Sequence, residues 1–454
     1  MPYVMKIRAR YRSDATGREV LLPALFTESG ILLSHLRYLA SNLQKSQTWR
    51  SKSAAAILRL IKYINANISF YSSGTALLRG FIEALFGGSF NQTSLEDPSG
   101  LYWAPLTAEN ANNIIWHITH YTDWLSRQPG YSSVRINGFR SATSAEVRLN
   151  WCAYYNKHKH VFLNYLRDEH RTSEEVGRVR EVQGRQNPIG LLDSVKRFPE
   201  NRINELMKVG FVRRDNRGVQ RRDGEHPDYK GQAITMLMHY GGVRRSEALH
   251  LYLQDILIDT TKGEAIVRIY HPSFGRSPDK RMATRTEYLA VRYRLKPRTQ
   301  YLLTERLHLG WKHPLLTNRR EGYFAVSFFP PEKAVEFVMV FTNYLKFQRV
   351  APGEHADHPY AFTNCDGAPE TAKNFSRLHK AAVNRIGLEH LKCLGTSEHG
   401  HRHAYGYRLS EHGFTPLEIK VAMHHRSYKS QEVYTQKSDE DIRLRMRSIH
   451  EYDE

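Results

Sequence analysis

The chain predicts two domains of different class. Its N-terminal half is a helical domain, and its C-terminal half is mainly α with a small antiparallel β-sheet. Three observations lead there. Apolar residues recur at three- and four-residue spacing from Ile31 to Leu166, the signature of amphipathic helices. Two short β-prone runs, 265–270 and 287–291, stand among helical patterns, so sheet takes a minor share. A chain of 454 residues also exceeds what one hydrophobic core ordinarily organises, so two or three domains are expected.

In order, residues 1–26 are mixed and polar and read as an extended arm. Residues 27–189 read as one helical domain. Leu32, Leu36, Leu39 and Leu43 keep one apolar stripe; Ile57, Leu60, Ile61 and Ile64 keep another. Leu78 to Phe86 gives a third helix, and the loop GGSFNQTSLEDPSG then breaks the chain. Ala111 to Leu125 and Trp151 to Leu166 complete an all-helical bundle. Its Lys45, Arg50 and Lys52 are candidates to face phosphates, against the plainer reading of a solvated face. Residues 190–229 read as a hinge, with a short helical piece at Leu191 to Phe211 and the turn-rich RRDNRGVQRRDGEHPDYKG after it.

Residues 230–438 form the second predicted domain. A buried helix from Ala233 ends at Gly241-Gly242, glycines suited to a C-terminal cap, and Arg244 follows directly. Ala265 to Tyr270 reads as a strand with Glu287 to Val291 as its partner. Residues 276–298 hold eight basic side chains against Asp279 and Glu287, which makes Arg276, Arg281 and Arg285 candidates to lie on phosphates. Glu370 to Ile386 is a long helix. Residues 439–454 form a terminal helix whose Ile442, Met446 and Ile449 make a stripe for a neighbouring protomer.

Charge and composition narrow the partner. Sixty-six basic residues against 46 acidic leave +20, which favours a polyanion. The longest apolar runs fall short of the ~20 residues of a membrane span, and the first residues lack a secretory apolar core. Cys152, Cys365 and Cys393 show no close pair or metal spacing, which suits a reducing cytoplasm. No metal and no cofactor are expected.

The informative stretch is HGHRHAYGYRLSEHGFTPLEIKVAMHHRSYKSQEVYTQ, from His399 to Gln436. His399 and Arg402, three apart, share one helix face. Gly413 is a helix stop, and Thr415-Pro416-Leu417-Glu418 reads as a capping box with proline at the first helical position. The next helix ends at His424-His425, and Tyr434 stands nine residues past His425. Imidazoles, a guanidinium and a phenol together suit gripping a phosphate and attacking it with an oxygen.

These residues resemble the tyrosine recombinases, or phage-type integrases. The His-x-x-Arg box appears as His399-Gly400-His401-Arg402, the following histidine as His425, and the tyrosine as Tyr434. The upstream arginine box appears as Gly242-Val243-Arg244-Arg245-Ser246-Glu247, with Arg244 favoured over Arg245 on register. The resemblance covers roughly 230 to 440. It implies an N-terminal core-binding-like domain and a C-terminal mixed α/β catalytic domain. It also implies a 3′-phosphotyrosyl intermediate at Tyr434, with Arg244, Arg402, His399 and His425 around the phosphate and Glu247 buttressing. The resemblance further implies a hairpin lysine that gives the leaving oxygen its proton; Lys280 is the candidate, with Arg276, Arg281 or Lys262 as substitutes. His424 stands where glycine is usual.

The implied partner is double-stranded DNA carrying recombination sites. The implied assembly is a homotetramer on DNA (monomer or dimer when free), with accessory proteins possible, in a cytoplasmic, nucleoid-associated setting. The implied biology is integration or excision of a mobile genetic element. Two alternatives remain open: a catalytically silent DNA-binding relative of the same fold, and a metal-dependent phosphohydrolase built on His399, His401, His403 and His424 or His425.

Overall fold

The computed structural model describes residues 3–12, 17, 19–91, 93–130, 135–158, 169–185, 196–213, 226–302, 304–353, 356–427 and 434. It divides into two compact units, Met1–Ile189 and Gly190–Glu454.

The first unit opens with sheet, where an extended arm was expected. Strand β1 (Val4–Arg12) pairs antiparallel with β2 (Glu19–Thr27), in register from Val4 opposite Thr27 to Arg12 opposite Glu19. A short β3 (Gly30–Ile31) extends the sheet. The period-two pattern was present in β1: Ile7, Ala9 and Tyr11 turn to the core while Lys6, Arg8, Arg10 and Arg12 stay exposed. In β2 it is hidden because Leu22, Ala24 and Leu25 are buried within a near-continuous apolar run. The helices α1 (Leu33–Ala40), α2 (Gln47–Asn67), α3 (Gly74–Gly87) and α4 (Ala108–Leu125) then build the bundle. Ser46 and Ser73 cap α2 and α3 by accepting from Trp49 N–H and Ala76 N–H, each at 3.1 Å. Leu39, Ile57, Leu78, Phe81 and Ile118 share the core with Leu22 and Leu25. A two-stranded sheet, β4 (Phe139–Ser141) with β5 (Arg178–Arg180), flanks α5 (Ser144–His158) and α6 (Glu169–Val176). The expected helix through Leu166 runs past His158 into residues outside those described.

The second unit begins inside the expected hinge. Phe198, Ile203, Leu206 and Phe211 are buried in its core, around a single turn α7 (Ile203–Glu205) and the wider turn Leu206–Gly210. Residues 196–213 therefore belong to the second unit as core rather than as a connector. Most of the charged run after them lies outside the described residues.

Helix α8 (Tyr229–His239) is buried along Lys230–His239 and carries the core. Its one lysine is neutralised by Glu370, and Lys230 Nζ also donates to Thr363 O at 3.0 Å. A short α9 (Arg245–Ala248) follows the Gly241-Gly242 break. The sheet has the order β6 (Ile256–Asp259), β7 (Glu264–Tyr270), β8 (Tyr323–Ala325), all antiparallel, with Ile256 opposite Val267 and Ile269 opposite Phe324. On β7, Ala265, Val267 and Ile269 alternate into the core.

Residues 287–291 are not the second strand. They lie in α10 (Arg285–Tyr293), where Thr284 caps by accepting from Glu287 N–H at 3.3 Å and Tyr288 and Leu289 bury one face. The true partners of β7 are β6, across a tight turn, and β8, some fifty residues on. Helices α11 (Glu332–Phe347), α12 (Ala372–Arg385), α13 (Glu398–Glu411) and α14 (Pro416–Ala422) complete the unit. Among the described residues no helix is long and apolar enough to cross a membrane. The expected helix at 439–454 lies outside the described residues.

Candidate active site

Four short pieces of backbone deliver the site. The first is the break after α8. Gly242 adopts φ +63°, and a Cβ there would stand 2.4 Å from Tyr405 Cδ1, so only glycine lets this turn close against α13. The turn sets Arg244 at the N-cap of α9. Glu247, fully buried, accepts from Arg244 N–H at 2.8 Å and from Arg244 Nη1 at 2.6 Å. One carboxylate thus caps a helix and aims a guanidinium, which stays partly exposed. Arg245 turns away, tied to Glu398 Oε1 at 3.1 Å and to Ser376.

The second piece is α13, whose spacing of three and four aligns His399, Arg402, His403 and Gly406 on one face. Arg402 is buried and donates to the carbonyls of Gly242 and Met423. Burial and then the charge of Arg244 push it down to about 10, so it remains a cation. The His399 ring contacts His403 at 4.3 Å between centroids while one edge stays open to solvent. Crowding out of solvent pushes His399 down, and the charges of His403, Arg402, Arg244 and Lys312 add to it.

The third piece is α14 and its end. The capping box forms as the sequence predicts, with Thr415 N–H donating to Glu418 at 2.7 Å and Pro416 in the first turn. The helix closes through His424 at φ +55°, a left-handed residue. That conformation explains why glycine suits the position; a histidine there carries roughly 1–2 kcal/mol of backbone strain. Its ring packs on Phe324 at 4.1 Å, and its carbonyl accepts from Leu315 N–H at 3.1 Å. His425 follows, buried, and pushed down to about 3 by burial and then by Arg402 and Arg244.

The fourth is Tyr434. Its hydroxyl pairs with His403 Nδ1 at 2.8 Å, and its ring stacks on His425 with centroids 6.0 Å apart and planes 15° apart. Tyr407 meets it edge-on at 5.6 Å. The phenol is buried at 4% exposure. Burial raises it to about 12 against the opposing pull of Arg402 and Arg244, whose charges both reach it. Gly406 leaves the room: a Cβ there would lie 2.8 Å from Tyr434 Cδ1 and 2.8 Å from Met423 Sδ.

The structure therefore brings Arg244, Glu247, His399, Arg402, His425 and Tyr434 together. His403 was singled out in the sequence only as a metal ligand; its place one helical turn after His399 was the signal that it belongs on this face. Lys280 sits exposed beside Asp279 and Arg281, and the lysine charge that bears on His399 is that of Lys312. Lys312 follows Trp311, which packs on His250, His271 and Phe324 and so anchors this stretch near the sheet. It lies in the long β7–β8 connection, and taking 287–291 as a strand hid that connection.

The proposed DNA contacts divide. Arg285 is buried, paired with Asp255 through Nη1 at 2.9 Å and sandwiched between Tyr252 and Tyr270 at 4.1 and 4.2 Å. It serves the fold and cannot meet a phosphate. Arg276 pairs with Glu321 and Arg281 with Asp279, each at 2.7 Å, both on the surface. In the first unit Lys45 and Lys52 are exposed, while Arg50 is half-buried and pushed down by burial. The histidines of the alternative metal set do not share a face, because His401 points to the opposite side of α13, where it meets His239 and His379.

Residues 219–441 match the model of the phage integrase family. No curated protein matches the chain. Solved structures that align with it include the XerH site-specific recombinase bound to difH substrate in a pre-cleavage complex, at 11% identity and TM-score 0.46 over 87% of this chain and 78% of that one. The Tn1549 transposon integrase in complex with transposon right end DNA aligns at 14% identity and TM-score 0.35, over 87% and 99%. The integrase from mycobacterium phage Brujita aligns at 11% identity and TM-score 0.28, over 90% and 88%.

Proposed function

The C-terminal unit belongs to the phage integrase family across residues 219–441, and from that premise we propose that the protein is a site-specific DNA recombinase working through a phosphotyrosine. The observation that carries this reading is the hydrogen bond of the Tyr434 hydroxyl to His403, inside the field of both Arg244 and Arg402. Phosphoryl transfer asks for positioning and for cations around the equatorial oxygens more than for covalent help from the protein. Guanidinium forks supply both and keep their charge.

In the proposed reaction Tyr434 Oη bonds to phosphorus, the bond from phosphorus to the 5′ oxygen breaks, and the phenol proton passes to His403. Lys312 gives a proton to the departing 5′ oxygen. His403 is held down to about 4, by burial and then by Arg402, so without DNA it is neutral and a weak base. A DNA phosphate between the arginines offsets their field and raises the proton affinity of His403 when attack is due. The covalent intermediate conserves the bond energy, so a new strand end can reverse the steps without ATP. Tyr434 occupies the site of its own chain, which favours cleavage by the protomer that binds the phosphate. The basic surface, the homotetramer on two DNA sites and the mobile-element role complete the proposal.

The test is a suicide DNA substrate carrying its own site, in chelator. A covalent protein–DNA adduct is expected from the natural chain and none from Tyr434→Phe, with DNA binding intact in both. Adduct formation by Tyr434→Phe, or binding without any adduct from the natural chain, would overturn the proposal. The second of these outcomes would identify a silent DNA-binding relative.

A further inference from the structure

Behind the proposed active site, on the opposite face of α13, three side chains converge without touching the chemistry. His379 of α12, His390 of the following loop and Glu398 at the start of α13 place one nitrogen or oxygen each within 4.8 Å of one another. We infer that this cluster is a binding site for a divalent transition-metal ion of the zinc type.

Two observations beyond proximity carry the inference. His379 is fully buried, and its Nδ1 has no hydrogen-bond partner; His390 Nε2, also enclosed, has none either. Two orphaned ring nitrogens facing one carboxylate are costly as they stand. A metal ion supplies what both lack, and two imidazoles with one carboxylate is a set that zinc accepts, with one position left for water.

The second observation is how His379 is held. Arg408 Nη2 lies within reach of both Glu200 oxygens, at 2.8 and 2.9 Å, and of His239 Nε2 at 2.7 Å, while His239 Nε2 also stands 3.2 Å from Glu200 Oε2. His239 Nδ1 pairs with His401 Nδ1 at 3.1 Å, and His401 Nε2 pairs with His379 Nε2 at 2.8 Å. Run toward Glu200, this relay leaves the lone pair of His379 on Nδ1, the nitrogen within reach of His390 and Glu398. A histidine ligand anchored through its other nitrogen by a chain ending in a carboxylate is the usual second-sphere arrangement of metal sites. Glu398 divides its oxygens, Oε1 to Arg245 at 3.1 Å and Oε2 toward His390 Nε2 at 3.6 Å. His390 and Glu398 keep 17% and 12% side-chain exposure, which leaves an entry path. The ion would tie α12 to the first turn of α13 and take no part in phosphoryl transfer.

The experiment uses the full chain, stripped with chelator and desalted, without DNA. Co²⁺ serves as the optical probe and Zn²⁺ as its competitor. One equivalent of Co²⁺ is expected, with the visible bands of a four-coordinate site that Zn²⁺ abolishes. His390→Ala and Glu398→Gln, which remove ligands, are each expected to weaken uptake by at least the roughly 10- to 100-fold that loss of an outer partner costs, while the exposed His120→Ala keeps it. Circular dichroism confirms that each variant is folded. Absence of a stoichiometric site in the natural chain, or uptake unchanged in both folded variants, overturns the inference. Because the readout needs no DNA and no Tyr434, its failure leaves the recombinase proposal standing, and the reverse holds too.

Discussion

Replacing Gly406 by alanine separates stability from chemistry at the proposed nucleophile. The new carbon would lie 2.8 Å from Tyr434 Cδ1, 2.9 Å from Cε1 and 2.8 Å from Met423 Sδ. Carbon contacts settle at ~3.5–4.0 Å, so something must retreat by roughly 0.7 Å or more. Met423 bends easily, but the tyrosine ring is rigid and caught between His425 and Tyr407, so relief moves the whole phenol. Overpacking of this kind costs about 1–3 kcal/mol. Alanine regains about 1 kcal/mol over glycine inside a helix. The net loss of stability is therefore about 2 kcal/mol at most. The hydroxyl, however, leaves its 2.8 Å contact with His403, and misplacement approaching 1 Å costs about 100-fold in rate. Denaturant unfolding together with single-turnover cleavage of a suicide substrate measures both. A folded variant that cleaves within about threefold of the natural rate would refute the reasoning, since Tyr434 would then not be working from this position.

Three further expectations follow from the same geometry. Lys312→Ala should slow cleavage by about 10²–10⁴-fold and recover on a substrate whose bridging 5′ oxygen is sulfur, which leaves without a proton; Lys280→Ala should do neither, and equal losses in both variants would dismiss Lys312. Asp255→Ala strands the Arg285 charge in the interior and should cost about 3–5 kcal/mol in denaturant unfolding, whereas an effect confined to DNA affinity would mean that Arg285 reaches the surface after all. His425 has a folded pKa of about 3, below its unfolded value, so the unfolded chain binds the extra proton. The stability His425 contributes is then complete above ~6.5 and lost as pH falls from there toward 3. The denaturant midpoint should drop between about pH 7 and about pH 5, and less so in His425→Asn; an identical drop in both would assign the effect elsewhere.

The site was largely legible because local rules govern it. Helical spacing put His399 and Arg402 on one face, the Thr415–Glu418 box announced α14, and the glycine pair before Arg244 announced a break. What escaped reading depends on distant partners. Nothing near Arg285 in the chain marks Asp255, thirty residues earlier, as the carboxylate that buries it. The strand after β7 could not be placed because β8 returns only after a long excursion, and a nearer run of similar composition took its place. The hairpin β1–β2 was missed for the opposite reason: its alternation was plain in Ile7, Ala9 and Tyr11, but interleaved cations made the segment read as a polar extended arm. His403 was legible as a residue and not as a role, since its meaning comes from Tyr434, thirty-one positions away.

Helix α13 behaves as a partition with a different trade on each wall. One side carries His399, Arg402, His403 and Gly406; the other carries Glu398, His401 and Arg408. Neighbouring positions on such a rod are about 100° apart, so losing or gaining a single residue within it would rotate everything beyond that point onto the wrong wall. Point changes in this stretch can be graded in effect, one side at a time. A shift in length cannot, and variation in the lineage should therefore accumulate here by exchange of side chains and almost never by indels.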